Sequence, residues 1–338
     1  MVSVKNILLV RTDRIGDVVL SLPMLSVLKY HYPEAKISVM VREYTRQLVE
    51  HHPAVADVIL WDETKPRSSY RALLRRRRFD IAIVPYPRFH LALLLFLSRI
   101  PVRVGTGYRW YSFLFNKRIY EHRKDAKRHE VEYNLNLLKT LGIVPVGEPE
   151  FIFPISDESK EKIDNILKER NIQSFAVLHP GSGGSARDWK AENFSALGDE
   201  LSRRYHLQIV VTGGPGDEQI VRNVQRGMKT PAVSFAGEFS LEELAALYLR
   251  AKLFVSNSTG PLHIAAMVGI PVIAFYPPIV QCSAVRWGPF TKKKRVFTAD
   301  NQQCRYCQGG ACRSNVCMDQ ITVPQVTEAA GELLREYV

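Results

Sequence analysis

An aspartate behind a first strand, two glycine- and hydroxyl-rich loops, a cysteine group and an arginine run have types and spacing that could do chemistry. The first lies in VRTDRIGDVVLSLPML (10–25), where a strand ends near Arg11 and a loop with Gly16 leads to Asp17 at the entrance of a helix. A carboxylate there could accept a proton from an incoming hydroxyl. Asp also fills a helix N-cap readily, and a helix amino terminus stabilises the ionised form and weakens it as a base. Asp13 competes for the same role, and Pro23 leaves the helix start open.

The second stretch, VLHPGSGGSARDWKAENF (177–194), runs from a strand through a loop into a helix. Gly181, Gly183 and Gly184 let the backbone approach a phosphate, and Ser182, Arg187 and Lys190 supply donors and charge. It has neither the Walker nor the G-x-G-x-x-G spacing, and a solvated connecting loop is the plain alternative. In the third, LFVSNSTGPLHIAAMVGIP (253–271), Ser258 and Thr259 precede a helix start at Gly260 with Pro261 in its first turn, and His263 follows. The hydroxyls and free N–H groups make a second anion site, with His263 either a ligand or a structural histidine. Two anion sites on one half would hold a diphosphate, so a nucleotide sugar is the natural ligand. GGPGDE (213–218), with Asp217, adds a third loop behind a strand.

Cys304, Cys307, Cys312 and Cys317 form a C-x2-C-x4-C-x4-C pattern, which could hold zinc but is spread wider than usual ribbons. With only one C-x2-C present, buried or loosely paired structural thiols are the expected reading and no metal is assigned; Cys282 stands apart. Arg71, Arg75 to Arg78, Arg99 and Arg103 surround the apolar run Leu91 to Leu97. That is either a solvated helix face or a basic surface for phosphorylated acceptors or anionic lipid headgroups. The patch lacks the interleaved aromatics of single-strand binders, which argues against nucleic acid.

Strand-length apolar runs alternating with amphipathic stretches must position these groups. Strands are expected at 6–10, 36–41, 57–61, 79–84 and 102–105, then at 175–179, 208–212, 232–236, 253–256 and 271–275. Helical periodicity is clearest in 130–141, 156–170, 191–205 and 240–250. Such alternation implies parallel sheets in two doubly wound domains, joined in the Pro- and Gly-rich 143–156 stretch and binding ligand at the carboxyl ends of their strands. The length, 338 residues, suits two domains with cores of their own. Composition, at 46% hydrophobic and 24% charged, excludes disorder and a disulfide scaffold. The net charge of +12 is uneven: residues 1–150 carry 25 Lys+Arg against 15 Asp+Glu, a surplus of ten, and the rest is nearly neutral. No apolar run approaches the roughly 20 residues of a membrane span, and the amino-terminal apolar core is too short for a signal peptide, so a cytoplasmic protein is expected.

DRIGDVVLSLP (13–23), HPGSGG with RDW (179–189), GGPGDE and SNSTGPLHIAA (256–266), in this order, resemble the ADP-heptose lipopolysaccharide heptosyltransferases of glycosyltransferase family 9 across nearly the whole chain. The resemblance implies a GT-B fold: two Rossmann-like domains facing a cleft, the first (1–150) for acceptor and the second (151–320) for nucleotide sugar. A last helix (321–338) would pack back on the first domain. It implies inverting transfer of heptose from ADP-L-glycero-D-manno-heptose to the lipopolysaccharide inner core, at the inner membrane, with no cofactor and no nucleic acid partner. By position, Asp17 matches the base and Arg187 the usual lysine that holds the diphosphate. Gly181, Ser182, Lys190, Asp217, Ser258, Thr259, Gly260 and His263 fall to the donor, Phe239 near its adenine, and Asp13 and Arg14 to the acceptor. Arg187 keeps the lysine's charge but changes its geometry, and Ser258 replaces the Asp of many members. The alternatives are a relative using another nucleotide sugar for a capsule, O-antigen or other surface glycan and, from a different class, a nucleic-acid-binding protein with a four-cysteine zinc module.

Overall fold

The computed structural model describes residues 4–184, 187–300 and 316–338. The chain divides into two compact units, 1–154 and 155–338. Each is built on a parallel six-stranded sheet.

In the first unit the strands are β1 (Asn6–Val10), β2 (Lys36–Val41), β3 (Val55–Leu60), β4 (Ile81–Ile83), β5 (Val102–Thr106) and β6 (Lys117–Ile119), in the order β3-β2-β1-β4-β5-β6. The helices are α1 (Ile15–Val19), α2 (Leu22–His31), α3 (Arg67–Arg77), α4 (Phe89–Leu97) and α5 (Glu130–Asn136). The central strand β1 is buried after its first residue, as expected of a strand covered on both faces. One face of this sheet carries Leu8, Val10, Ala82 and Val84, packed with Leu74 of α3 and Leu91, Leu94 and Leu95 of α4. Pro23 does not delay a single helix. It sits in the first turn of a second one, α2, after α1 has ended at Val19.

In the second unit the strands are β7 (Phe175–His179), β8 (Gln208–Val211), β9 (Ala232–Ser234), β10 (Leu253–Asn257), β11 (Val272–Tyr276) and β12 (Lys294–Thr298), in the order β12-β11-β10-β7-β8-β9. The helices are α6 (Asp157–Glu169), α7 (Ala191–Tyr205), α8 (Glu218–Gly227), α9 (Leu241–Arg250), α10 (Gly260–Met267), α11 (Ala284–Trp287) and α12 (Val323–Tyr337). Ser156 caps α6, and Ser240 with Glu243 forms a reciprocal capping box on α9. In α7, Phe194, Leu197 and Leu201 recur at helical spacing and are buried in the core beneath β7 and β8.

The last helix departs from the expectation that it packs back on the first domain. Val326, Ala330 and Leu333 of α12 are buried in the second unit's core, Tyr205 of α7 donates to the Thr327 carbonyl at 3.1 Å, and Arg295 of β12 pairs with Glu332. Its apolar stripe is therefore consumed by α7 and β12. The edge strands β6 and β12 lie outside the expected set, because KRI, mostly exposed, and KRVFT, half-buried, are charged and show no apolar run.

Candidate active site

In each sheet the chain reverses its direction of travel beside the first strand: between β1 and β4 in one unit, between β7 and β10 in the other. The two flanking connections diverge there and leave a crevice at the carboxyl ends, the usual ligand position in open α/β sheets. The loops after β1, β7 and β10 are the ones whose residues the sequence singles out.

After β1, Arg11 is wholly buried and organises an ion cluster. Its Nη2 donates to Asp17 Oδ1 at 2.7 Å and to Glu130 Oε1 at 3.3 Å, its Nε donates to the Asp17 carbonyl at 3.1 Å, and Asp13 lies 3.5 Å away. Arg123 Nη1 reaches the same Glu130 oxygen at 2.5 Å. Three carboxylates thus share two guanidinium groups. Burial raises the Asp13 carboxyl to about 6; Arg11 draws it down, and Asp17 and Glu130 push it up again. Asp17 is not the N-cap. Arg14, exposed, holds that position, and Asp17 stands in the first turn of α1 with its side chain 18% exposed, held at the carboxyl end of β1. Asn134 Nδ2 donates to the Leu20 carbonyl and ties α5 to the end of α1. The loops after β4 and β5 add exposed aromatic surface, with Arg88 over Tyr86 and the Trp110 ring 4.8 Å from Phe89.

In the second unit Asn257, buried at the end of β10, fastens the loop after β7 at both ends. Its Nδ2 donates to the Pro180 carbonyl and its Oδ1 accepts from the Trp189 backbone N–H, both at 2.7 Å. Trp189 is a buried anchor whose Nε1 donates to the Ile321 carbonyl. Between these pins lie Gly181, Ser182, Gly183 and Gly184, with Gly183 and Gly184 in the left-handed conformation that glycine adopts without penalty. Gly181 is required for a different reason: a Cβ there would sit 2.3 to 2.6 Å from the carboxylate of Asp217, which accepts from the Gly214 N–H at 2.9 Å. The two glycine loops therefore touch. Asp188 also belongs here; burial raises its carboxyl to about 6 against a hydrogen bond from Ser182, with the Asp217 charge adding to the rise.

Thr259 is the N-cap residue of α10, and its side chain makes no cap hydrogen bond, so the first-turn N–H groups depend on other acceptors. Ser258 is half-buried beside it and bonds to the Tyr276 hydroxyl, and His263 is buried on the first turn. Phe239, after β9, is half-buried with its ring 4.9 Å from Phe235. Arg187 is half-buried in the loop after β7. Lys190 instead pairs with Asp319 at 2.7 Å, so its ammonium is already engaged. His179, at the end of β7, has Nδ1 2.9 Å from Thr212 Oγ1, and burial lowers it to about 4, which keeps it neutral beneath the loop.

Arg11, Glu130, Asn257 and Asp188 were not assigned roles from sequence. Asn257 lies inside the SNSTG motif, but its partners are 68 and 77 residues away, and Glu130 meets Arg11 across 119 residues. Of the cysteine group, Cys317 is buried in the second unit's core, and Cys304, Cys307 and Cys312 lie outside the described residues.

Two Rossmann-like units, each with the loops singled out by the sequence at the carboxyl ends of its sheet, make an α/β protein of GT-B type. The chain belongs to glycosyltransferase family 9 (heptosyltransferase), whose family model matches residues 67–317. It is a glycosyltransferase. It is 27% identical to lipopolysaccharide heptosyltransferase 3 of Escherichia coli K12, over 95% of this chain and 96% of that one. It is also 27% identical to lipopolysaccharide heptosyltransferase 2 of Salmonella typhimurium LT2, over 98% and 99%. Among solved structures, ADP-heptose lipopolysaccharide heptosyltransferase II of E. coli superposes with a TM-score of 0.81 at 25% identity, covering 98% of this chain and 99% of that one.

Proposed function

We propose that this enzyme transfers heptose from ADP-L-glycero-D-manno-heptose to the inner core of lipopolysaccharide with inversion at the anomeric carbon. The observation that carries the reading is the Arg11-held carboxylate of Asp17 at the carboxyl end of β1, in a chain whose full-length relatives are heptosyltransferases. Asp17 takes the proton of the acceptor hydroxyl as its oxygen attacks the anomeric carbon. The bond to the diphosphate oxygen breaks on the opposite face, and ADP leaves with the electron pair. Arg187 and the first turn of α10, with Ser258, Thr259, Gly260 and His263, meet the charge that develops on ADP. Lys190 joins them by exchanging its exposed pair with Asp319 for the diphosphate. Gly181 and Ser182 line the diphosphate, Asp217 and Phe239 the nucleoside, and Asp13 and Arg14 the acceptor. The Asp188 carboxyl, already at about 6, would be pushed further toward its neutral form by a bound diphosphate and could then donate a hydrogen bond to it.

No helix among the described residues is long and apolar enough to cross a membrane. The basic first half fits work at the anionic inner-membrane surface, where a lipid-linked acceptor is presented. A panel of nucleotide sugars with purified enzyme and a lipopolysaccharide core acceptor tests the reading: turnover of ADP-heptose alone supports it, and turnover of a different donor in its place replaces the substrate. Asp17→Ala should abolish transfer while ADP still binds; transfer at the wild-type rate refutes the base.

A further inference from the structure

The arginines at the ends of α3 and α4 have no part in the transfer chemistry, and the structure gathers three of them around one cavity. Arg75, Arg78 and Arg99, with Ser98, line a cavity of about 390 Å³ beside Phe79 and Pro101. Phe79 and Asp80 immediately precede β4, and Ile100 and Pro101 immediately precede β5. The cavity therefore lies at the amino ends of these strands, the opposite edge of the sheet from Asp17.

Capping of α4 explains part of the cluster. Arg71 Nε and Arg75 Nη2 both donate to the Leu97 carbonyl, and cations belong at a helix carboxyl terminus. That role does not extend to Arg78 and Arg99, whose guanidinium groups make no hydrogen bond or ion pair among the described residues. Both residues hold left-handed backbone, with φ of 49° and 61°, where glycine is the usual occupant at the end of a helix. Side chains kept there against local preference point to a use for them. Ser98 adds an independent sign: it is 5% exposed, lines the cavity, and its Oγ is buried with no partner. The fifth polar group is Asp80, whose Oδ2 accepts from the backbone N–H groups of Lys5 and Asn6. The cavity thus offers three guanidinium groups and an unused hydroxyl against one carboxylate that is already bonded. Desolvation first, and then the charges of Arg71 and Arg99, hold Arg75 below the usual arginine range.

We propose that Arg75, Arg78, Arg99 and the Ser98 hydroxyl form a phosphate-binding site, separate from the transfer site. Forked guanidinium groups bind a phosphate's oxygens in pairs, and the hydroxyl supplies a further donor. The same chemistry would hold the phosphate of an anionic lipid headgroup or a free phosphate compound.

The test uses the whole chain. Binding of inorganic phosphate is followed by calorimetry, and binding to vesicles of phosphatidylglycerol or of phosphatidylcholine by co-sedimentation. The double variant Arg78→Gly with Arg99→Gly removes both unpaired charges and relieves both left-handed residues, so folding is favoured while binding is lost. Ser98→Ala removes only the buried hydroxyl, and Arg222→Ala, in the second unit, controls for general charge. Wild type and Arg222→Ala should bind phosphate or phosphatidylglycerol alike, the double variant about tenfold more weakly, and Ser98→Ala detectably more weakly. Binding to phosphate without preference for phosphatidylglycerol makes the ligand a soluble phosphate compound; preference for phosphatidylglycerol makes it a headgroup. Equal binding by wild type and the double variant, or no binding of either probe by wild type, overturns the site. Transfer from ADP-heptose to a soluble acceptor should be unchanged in all three variants, so failure here and failure of the transfer reading are read separately.

Discussion

Asn257→Ala should do most damage for its size, because this one buried side chain holds both ends of the loop proposed to carry the diphosphate contacts. The substitution leaves the Trp189 N–H and the Pro180 carbonyl without the partners they now have at 2.7 Å. Each buried polar group deprived of its partner costs about 1–3 kcal/mol, so the pair should lower the stability of the second unit by roughly 2–6 kcal/mol. Asn257→Asp should not rescue it: the acceptor toward Trp189 survives, but an oxygen now faces the Pro180 carbonyl where an N–H stood. Function should suffer beyond stability, since the proposed contacts of Gly181, Ser182 and Arg187 with ADP depend on the loop being pinned. An unpinned loop must be ordered at each binding event, which should weaken ADP by at least about tenfold. Urea unfolding followed by tryptophan fluorescence gives the first number, and calorimetric titration with ADP at a temperature where the variant is folded gives the second. A loss of stability below about 0.5 kcal/mol, or unchanged ADP affinity in the folded variant, would refute the claim that Asn257 is the clamp.

Two further outcomes follow from the same geometry. The Asp13 carboxyl stands at about 6 in the folded chain against about 4 unfolded, so the folded state holds the extra proton between these values, and stability from this group falls as pH rises through that window. Asp13→Asn should therefore match wild type near pH 4 and be about 2–3 kcal/mol more stable above about pH 7; an equal gain at both pH values in urea unfolding would rule out charge as the cause. Gly181→Ala would place a methyl group 2.3 Å from an Asp217 oxygen and force that carboxylate off the Gly214 N–H. The expected cost is about 1–3 kcal/mol with weakened ADP binding, read as a lowered melting temperature and a smaller upward shift on adding ADP; a variant indistinguishable from wild type in both would show that the loops do not touch.

The strands nearest the centre of each sheet were legible because a strand buried on both faces must be an unbroken apolar run, as in NILLV and FAVLH. The helices were legible where the burying face repeats at helical spacing, and α7 runs from Ala191 to Tyr205 as its pattern requires. Glycine and hydroxyl loops behind such strands could be marked because their chemistry is local: a helix start and its preceding turn lie within a few residues of each other. Two of the four edge strands escaped, since β6 and β12 are charged and partly or mostly exposed and owe their shape to pairing with a neighbour. The placement of α12 was also illegible, because an amphipathic stripe states that a surface is needed and not which one. The electrostatics of the site lay furthest from view. Asp17 could be named from its motif, but the three carboxylates around Arg11 and Arg123 exist only once β1, α1 and α5 are brought together. The sequence by itself determined two doubly wound units and the loops that bear the chemistry, because secondary-structure periodicity is a short-range property. Tertiary structure alone decided what pins those loops and which carboxyl is raised, because burial and Coulomb interaction depend on distance in space and not along the chain.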